Sequence, residues 1–162
     1  GICNGFQALI KLGLVPYGEF KPLTEEAPTL TFNTIGRHLS HYVTTKVVST
    51  KSPWLSLCRP GDLHSIPISH GEGRFIASDE QIRALIANGQ VATLYTDSEG
   101  HPTYDSRYNL NGSNWSIEGI TSPDGRVLGK MGHSERIGSG LYKNVPGEYN
   151  IRMFEAAVKY FR

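Results

Sequence analysis

Gly1-Ile2-Cys3-Asn4-Gly5-Phe6-Gln7 sets one thiol between two glycines, each two residues away. Glycine on both sides lets the backbone pass close to whatever the thiol faces. The following residues, Phe6-Gln7-Ala8-Leu9-Ile10-Lys11-Leu12, have helical spacing of apolar side chains and run into Gly13, a natural C-terminal stop. Small-x-nucleophile-x-small at a strand-to-helix junction is the pattern of a nucleophile elbow. A thiol at a helix N-terminus lies at the positive end of the dipole, which favours thiolate. The same seven residues also fit a buried structural cysteine at a strand end.

The bulk composition bounds the alternatives. A chain of 162 residues is the size of one domain and can bury a sizeable core. Its 16 basic and 15 acidic residues are interspersed, for a net charge of +1. That is no footprint for nucleic acid or a membrane surface, and no apolar run is long enough to span a bilayer. Two cysteines, Cys3 and Cys58, make no disulfide framework and fit a reducing, cytoplasmic setting. The Asn-x-Ser matches at Asn111 and Asn114 are read as chance. An elbow needs a strand before it, yet only Gly1 and Ile2 precede Cys3 and no signal peptide is seen. The expectation is a C-terminal fragment that begins at the elbow. Cys3 should then be mobile, and the exposed sheet edge should favour self-association or a displaced N-terminus.

Along the chain, Leu14 to Pro28 is a proline-punctuated connector. Thr29–Asn33 and Ser40–Val48 read as β-branched strands, expected to pair antiparallel around a bend near Gly36 to His38. His38 and His41 are three apart. On a strand that spacing sends them to opposite faces, without the convergent third and fourth ligands zinc needs, so no metal is expected. Trp54–Cys58 reads as core or a short helix, with Cys58 as inert packing. His64–Ser69 is a strand leading into His70-Gly71-Glu72-Gly73, either a loop with close backbone approach or a simple tight turn.

Ser78, with Gln81 three residues on, is a capping box for a helix running to about Ala87. Val91–Tyr95 is a strand, and Asn109 to Asn114 is loop by composition. Ser116–Thr121 and Val127–Met131 are strands joined by a turn at Pro123-Asp124-Gly125. Asn150 to Phe161 is expected to close as an amphipathic helix, with Ile151, Phe154, Val158 and Phe161 on its buried stripe and a Glu155–Lys159 pair outside. Strands alternating with helices indicate an α/β layer fold.

A second chemical motif, Gly132-His133-Ser134-Glu135-Arg136, puts an imidazole and a carboxylate two residues apart. Gly-x-Cys-Asn-Gly-x-Gln and Gly-His-x-Glu-Arg together resemble the catalytic signatures of class I, triad-type glutamine amidotransferases. Three further stretches are Ser69-His70-Gly71-Glu72-Gly73-Arg74-Phe75, Asn109-Leu110-Asn111-Gly112-Ser113 and Gly119 to Arg126. They narrow the resemblance to the phosphoribosylformylglycinamidine synthase family, specifically the C-terminal glutaminase domain of its large single-chain form. Phe6 stands where that family often has a second cysteine. Gly132 and Ser134 stand in place of prolines, so a less rigid loop around His133 is expected.

The resemblance implies a three-layer α/β fold with a mostly parallel central sheet, here missing its first strands. It implies a catalytic triad of Cys3, His133 and Glu135, with the Asn4 N–H as an oxyanion donor. Gln7, Ser69, His70, Gly71 and Glu72 would bind glutamine. The activity implied is hydrolysis of glutamine to glutamate and ammonia through a cysteine thioester. The ammonia would feed ATP-dependent conversion of formylglycinamide ribonucleotide to formylglycinamidine ribonucleotide in purine biosynthesis. No cofactor is implied in these residues; ATP and magnesium would belong to synthetase domains upstream in the same polypeptide. The competing readings are a class I glutaminase of another pathway and an inactive structural fragment. Asn109–Ser113 and Gly71–Arg74 favour the first reading over another pathway.

Overall fold

The computed structural model describes all 162 residues. Helix α1 (Asn4–Lys11) starts directly after Cys3 and buries Phe6 and Ile10, one turn apart on the same face. Gly13 ends it at φ +82°, where a Cβ would meet the Lys21 backbone nitrogen at 2.8 Å. The remaining elements are β1 (Thr29–Phe32), β2 (Leu39–Val47), β3 (Leu63–His70), β4 (Glu72–Ile76), α2 (Asp79–Ala87), β5 (Val91–Thr96), β6 (Ile117–Thr121), β7 (Leu128–Lys130) and α3 (Met153–Tyr160). No helix is long and apolar enough to cross a membrane.

The main sheet has five strands in the order β3-β2-β5-β6-β7, and every neighbouring pair is antiparallel. This differs from the mostly parallel sheet expected from the resemblance. Only β6 and β7 are joined too tightly for a parallel crossover; the longer connections between the other neighbours do not by themselves dictate the sense. Strands β6 and β7 are joined by a tight turn in which Ser122 N–H donates to Val127 C=O at 2.9 Å and Gly125 takes φ +77°. The one parallel contact is Ile2 beside Lys130. Rather than being displaced, residues 1–3 extend the sheet beyond β7. The N-terminal ammonium donates to Leu128 C=O at 2.7 Å, Lys130 N–H to Gly1 C=O at 3.0 Å, and Cys3 N–H to Lys130 C=O at 2.8 Å.

Strand β1 does not pair with β2. It pairs antiparallel with β4, Leu30 opposite Phe75, in a separate two-stranded sheet. Both side chains enter the core that α1 and α2 share with β5 and β6, together with Ile82, Ile117 and Ile120. The opposite face of the main sheet holds a second core of Val47, Leu55, Ala92, Leu128, Ile151 and Met153. Val91 and Ala92, adjacent on β5, point into different cores, as a period of two requires.

The α2 capping box is complete: Gln81 N–H donates to Ser78 Oγ at 3.2 Å and Ser78 N–H donates to Gln81 Oε1 at 2.8 Å. Helix α3 is different. Arg152 is left-handed (φ 55°, ψ 24°), so the helix starts at Met153 and Ile151 falls outside its periodicity. The buried face is Met153, Ala156 and Ala157, while Phe154, Val158 and Phe161 are 47–71% exposed. The small side chains let the helix approach the short turn at Pro53–Leu55 closely. Glu155 and Lys159 pair on the outside at 2.9 Å.

Candidate active site

Cys3 occupies φ 51°, ψ −106°, a conformation L-residues rarely adopt and one that costs about 1–3 kcal/mol. The three backbone bonds of residues 1–3 to β7 hold it on one side, and α1 holds it on the other. Phe6 fixes the helix against the strand. Its ring lies where a Cβ on Gly129 would overlap it, so that glycine is needed for close approach. The Asn4 N–H and the Arg136 charge both favour the thiolate of Cys3. The thiol is nonetheless pushed up from its ordinary value, because burial outweighs the opposing Asn4 N–H and Arg136 charge, and Glu135 adds to the rise. The free thiolate expected from the dipole is therefore not the resting state. Cys58 is pushed up further, to about 11, by burial and by Asp62, and its thiol donates to Ile151 C=O at 3.3 Å.

His133 and Glu135 lie just beyond the end of β7. The Nδ1–H of His133 donates to Glu135 Oε1 at 2.5 Å, which leaves Nε2 as the free acceptor. That Nε2 is buried and has no partner. The Cys3 thiol points at the Ser69 carbonyl, 3.7 Å away, and not at the imidazole. Strand β3 is the common wall. Ser69 C=O faces Cys3, and two residues earlier Pro67 C=O accepts the His133 N–H at 2.8 Å. Arg136 lies 3.7 Å from Glu135. The loop is not slack despite Gly132 and Ser134. Gly132 N–H donates to Glu118 Oε1 at 2.6 Å, and Lys130 Nζ donates to Gly132 C=O at 2.9 Å. Glu118 and Lys130 carried no signal in the motif reading beyond a charge within each of two apolar strands.

The segment Ser69 to Glu72 is a corner between strands, not a free loop. β3 ends at His70, Gly71 alone intervenes, and β4 starts at Glu72. The Glu72 carbonyl accepts a hydrogen from Gln7 Nε2 at 2.5 Å, which ties the corner to α1. A Cβ on Gly73 would overlap the His70 ring, which accounts for glycine there. Asn111 Nδ2 donates to Gly73 C=O at 2.8 Å, and Ser113 Oγ accepts the Phe75 N–H at 3.0 Å, so the Asn109–Ser113 motif buckles β4 in place.

His70 has a defined tautomer. Asn33 Nδ2 donates to Arg37 C=O and His70 C=O, so its Oδ1 is the acceptor facing His70 Nδ1 at 3.1 Å. His70 Nδ1 therefore carries the hydrogen and Nε2 is a bare, buried acceptor with no partner. Burial, then the charges of His38 and His133, hold its pKa down to about 4. His38 Nε2 meets Ser69 Oγ at 3.1 Å and His41 Nδ1 meets the Tyr42 carbonyl at 2.6 Å, so the two do not converge. A groove of about 690 Å³, lined by Tyr42, Pro67, Ile68, Tyr142 and others, opens on Glu135 and Arg136.

Residues 1–161 match the model of the CobB/CobQ-like glutamine amidotransferase domain. The chain is 40% identical over 136 residues to phosphoribosylformylglycinamidine synthase subunit PurQ of Thermomicrobium roseum, covering 84% of this chain and 52% of that protein. It is 36% identical over 156 residues to the PurQ subunit of Chlorobaculum tepidum, covering 96% and 60%. The structure of PurLQS from Thermotoga maritima superposes with a TM-score of 0.72 at 27% identity, covering all of this chain and 61% of that one. This chain thus spans little more than half the length of these relatives, which are named as subunits and not as parts of a single long chain. With the elbow, the imidazole–carboxylate pair and the α/β layers in place, the chain belongs to the CobB/CobQ-like glutamine amidotransferase domain family.

Proposed function

We propose that this chain hydrolyses glutamine to glutamate and ammonia through a thioester on Cys3. The ammonia would serve the ATP-dependent amidination of formylglycinamide ribonucleotide in cytoplasmic purine biosynthesis. The observation that carries the reading is Cys3 itself. A non-glycine residue is held at φ 51° at the head of α1, bonded to the strand whose continuation bears the His133–Glu135 pair.

In this mechanism Cys3 Sγ attacks the side-chain amide carbon. His133 Nε2 takes the thiol proton and passes it to the departing ammonia. Glu135 keeps the imidazole in the tautomer with Nε2 free and stabilises its protonated form. The Asn4 N–H stabilises the developing oxyanion. Water then attacks the thioester, giving its proton to His133, which returns it to the thiolate. The raised thiol pKa is consistent with a proton that leaves only when substrate is bound.

Gln7 and the corner from Ser69 through His70 and Gly71 to Glu72 hold the α-amino and α-carboxylate groups of glutamine. The bare Nε2 of His70 suits an ammonium. The partner that consumes ammonia, and that holds ATP and magnesium, is the synthetase part of the same enzyme. The relatives' names as subunits of that synthase support this. The test is the intact synthase with Cys3→Ala. Glutamine-dependent synthesis should vanish while ammonia-dependent synthesis persists. Retained glutamine-dependent synthesis would overturn the reading.

A further inference from the structure

Two charged side chains outside the triad sit in the core with no exposure: Glu118 in β6 and Lys130 at the end of β7. Their contacts form a closed set. Glu118 Oε1 meets Lys130 Nζ at 3.1 Å and accepts the Gly132 N–H, and Oε2 accepts the Thr93 hydroxyl. Lys130 Nζ also donates to Gly132 C=O at 2.9 Å. The pair therefore grips both polar atoms of Gly132, the residue directly before His133. It does so without slack. A Cβ on Gly132 would lie 2.6 Å from Ile66 Cγ2, 3.0 Å from Glu118 Oε1 and 3.2 Å from Lys130 Nζ. At the same time the main chain of Lys130 holds the elbow, accepting from Cys3 N–H and donating to Gly1 C=O. One residue binds the nucleophile through its backbone and the acid–base loop through its side chain.

We propose that Glu118 and Lys130 are positioning residues that set His133 and Glu135 relative to Cys3. The proposal rests on the glutaminase reading above. A buried ion pair is weak evidence of stabilisation, because well-packed apolar residues of similar volume are often as stable or more so. Apolar residues cannot hold the Gly132 peptide, whose N–H and C=O would both lose their partners. Stability and catalysis should therefore separate on substitution. The field of the pair reaches further into the site, since Glu118 is among the charges felt by His70 and Tyr95.

The experiment is steady-state glutamine hydrolysis by the intact synthase carrying Glu118→Leu with Lys130→Met, beside wild type and Cys3→Ala. The double variant keeps the Lys130 backbone and hence the elbow. With a misplacement near 1 Å, kcat should fall by ~10², with KM within about threefold of wild type. Ammonia-dependent synthesis should be unchanged, while the unpartnered Gly132 peptide lowers the thermal midpoint by a few degrees. A folded double variant with wild-type kcat would overturn the proposal. So would KM more than about threefold above wild type together with lost ammonia-dependent synthesis, the mark of general damage. If the double variant does not fold, Gly132→Ala places one methyl inside the clamp without altering charge. Its kcat should fall at least tenfold, and wild-type kcat there overturns the proposal equally. The Cys3→Ala control keeps the two failures apart. If that variant still hydrolyses glutamine, the glutaminase reading falls; if it is dead while the clamp variants are fully active, only the positioning proposal does.

Discussion

Lowering the pH should destabilise this protein through His70, and the burial of the imidazole sets the size of the effect. His70 is buried beside Asn33, with its pKa held down to about 4 from an ordinary 6.5. The sign follows from which state binds the proton. Below 6.5 the unfolded chain protonates this histidine and the folded chain does not. The stability contribution is therefore complete above pH 6.5, falls as pH drops, and is fully lost near pH 4. The difference of 6.5 − 4, at 1.36 kcal/mol for each tenfold step, is about 3 kcal/mol. By pH 5 about 2 kcal/mol should be gone, a large share of a typical 5–15 kcal/mol. Urea denaturation of wild type and His70→Gln at pH 7, 6 and 5 measures it. Burial also pushes His64 down, so wild type keeps a pH slope of the same sign from that residue. The difference between the two proteins isolates His70. Equal slopes in both would refute the reasoning, since His70 would then titrate alike in the folded and unfolded chains.

Three more expectations come from the same geometry. Gly129→Ala forces a methyl into the Phe6 ring and should destabilise the fold by about 1–3 kcal/mol in urea denaturation, with Phe6→Leu added on top recovering part of the loss. Glu135→Gln should lower glutamine-dependent kcat far less than Cys3→Ala, because Glu135 orients the imidazole and does not react; equal losses in the intact synthase would mean its role is larger. A diazoketone analogue of glutamine should label Cys3 at neutral pH and leave Cys58 untouched, since the latter's thiol lies near 11 and bonds a carbonyl; mass mapping of the label at Cys58 would contradict the site.

Much of the chemistry was legible as local pattern. Cys3 between glycines ahead of an apolar helix did prove to be a turn at positive φ. His133-x-Glu135 closed as a hydrogen-bonded pair because a two-residue separation needs no long-range folding to arrange it. The Ser78–Gln81 box and the Pro123-Asp124-Gly125 turn depend on bonds among near neighbours, so sequence alone specified them. Gly73 was recognisable as a site of close approach, here to the His70 ring, whereas a Cβ at Gly71 would meet nothing within 4 Å, and the segment is a tight corner between two strands, the second of the two readings.

What depended on distant partners did not show in the sequence. Strand β1 carries the same β-branched alternation whichever strand it joins, and its pairing with β4 was decided by a core shared with α1 and α2. The antiparallel sense of the main sheet likewise shows in no strand's composition. On α3 the larger side chains suggested one face, but room beside Leu55 selected the face with two alanines, and Arg152 reset the helix start. Glu118 and Lys130 are 12 positions apart and look like ordinary surface charges in a string of letters. Only the pairing of β6 with β7 buries them together, because a charge can enter a core only where its partner and the peptide groups it bonds arrive with it.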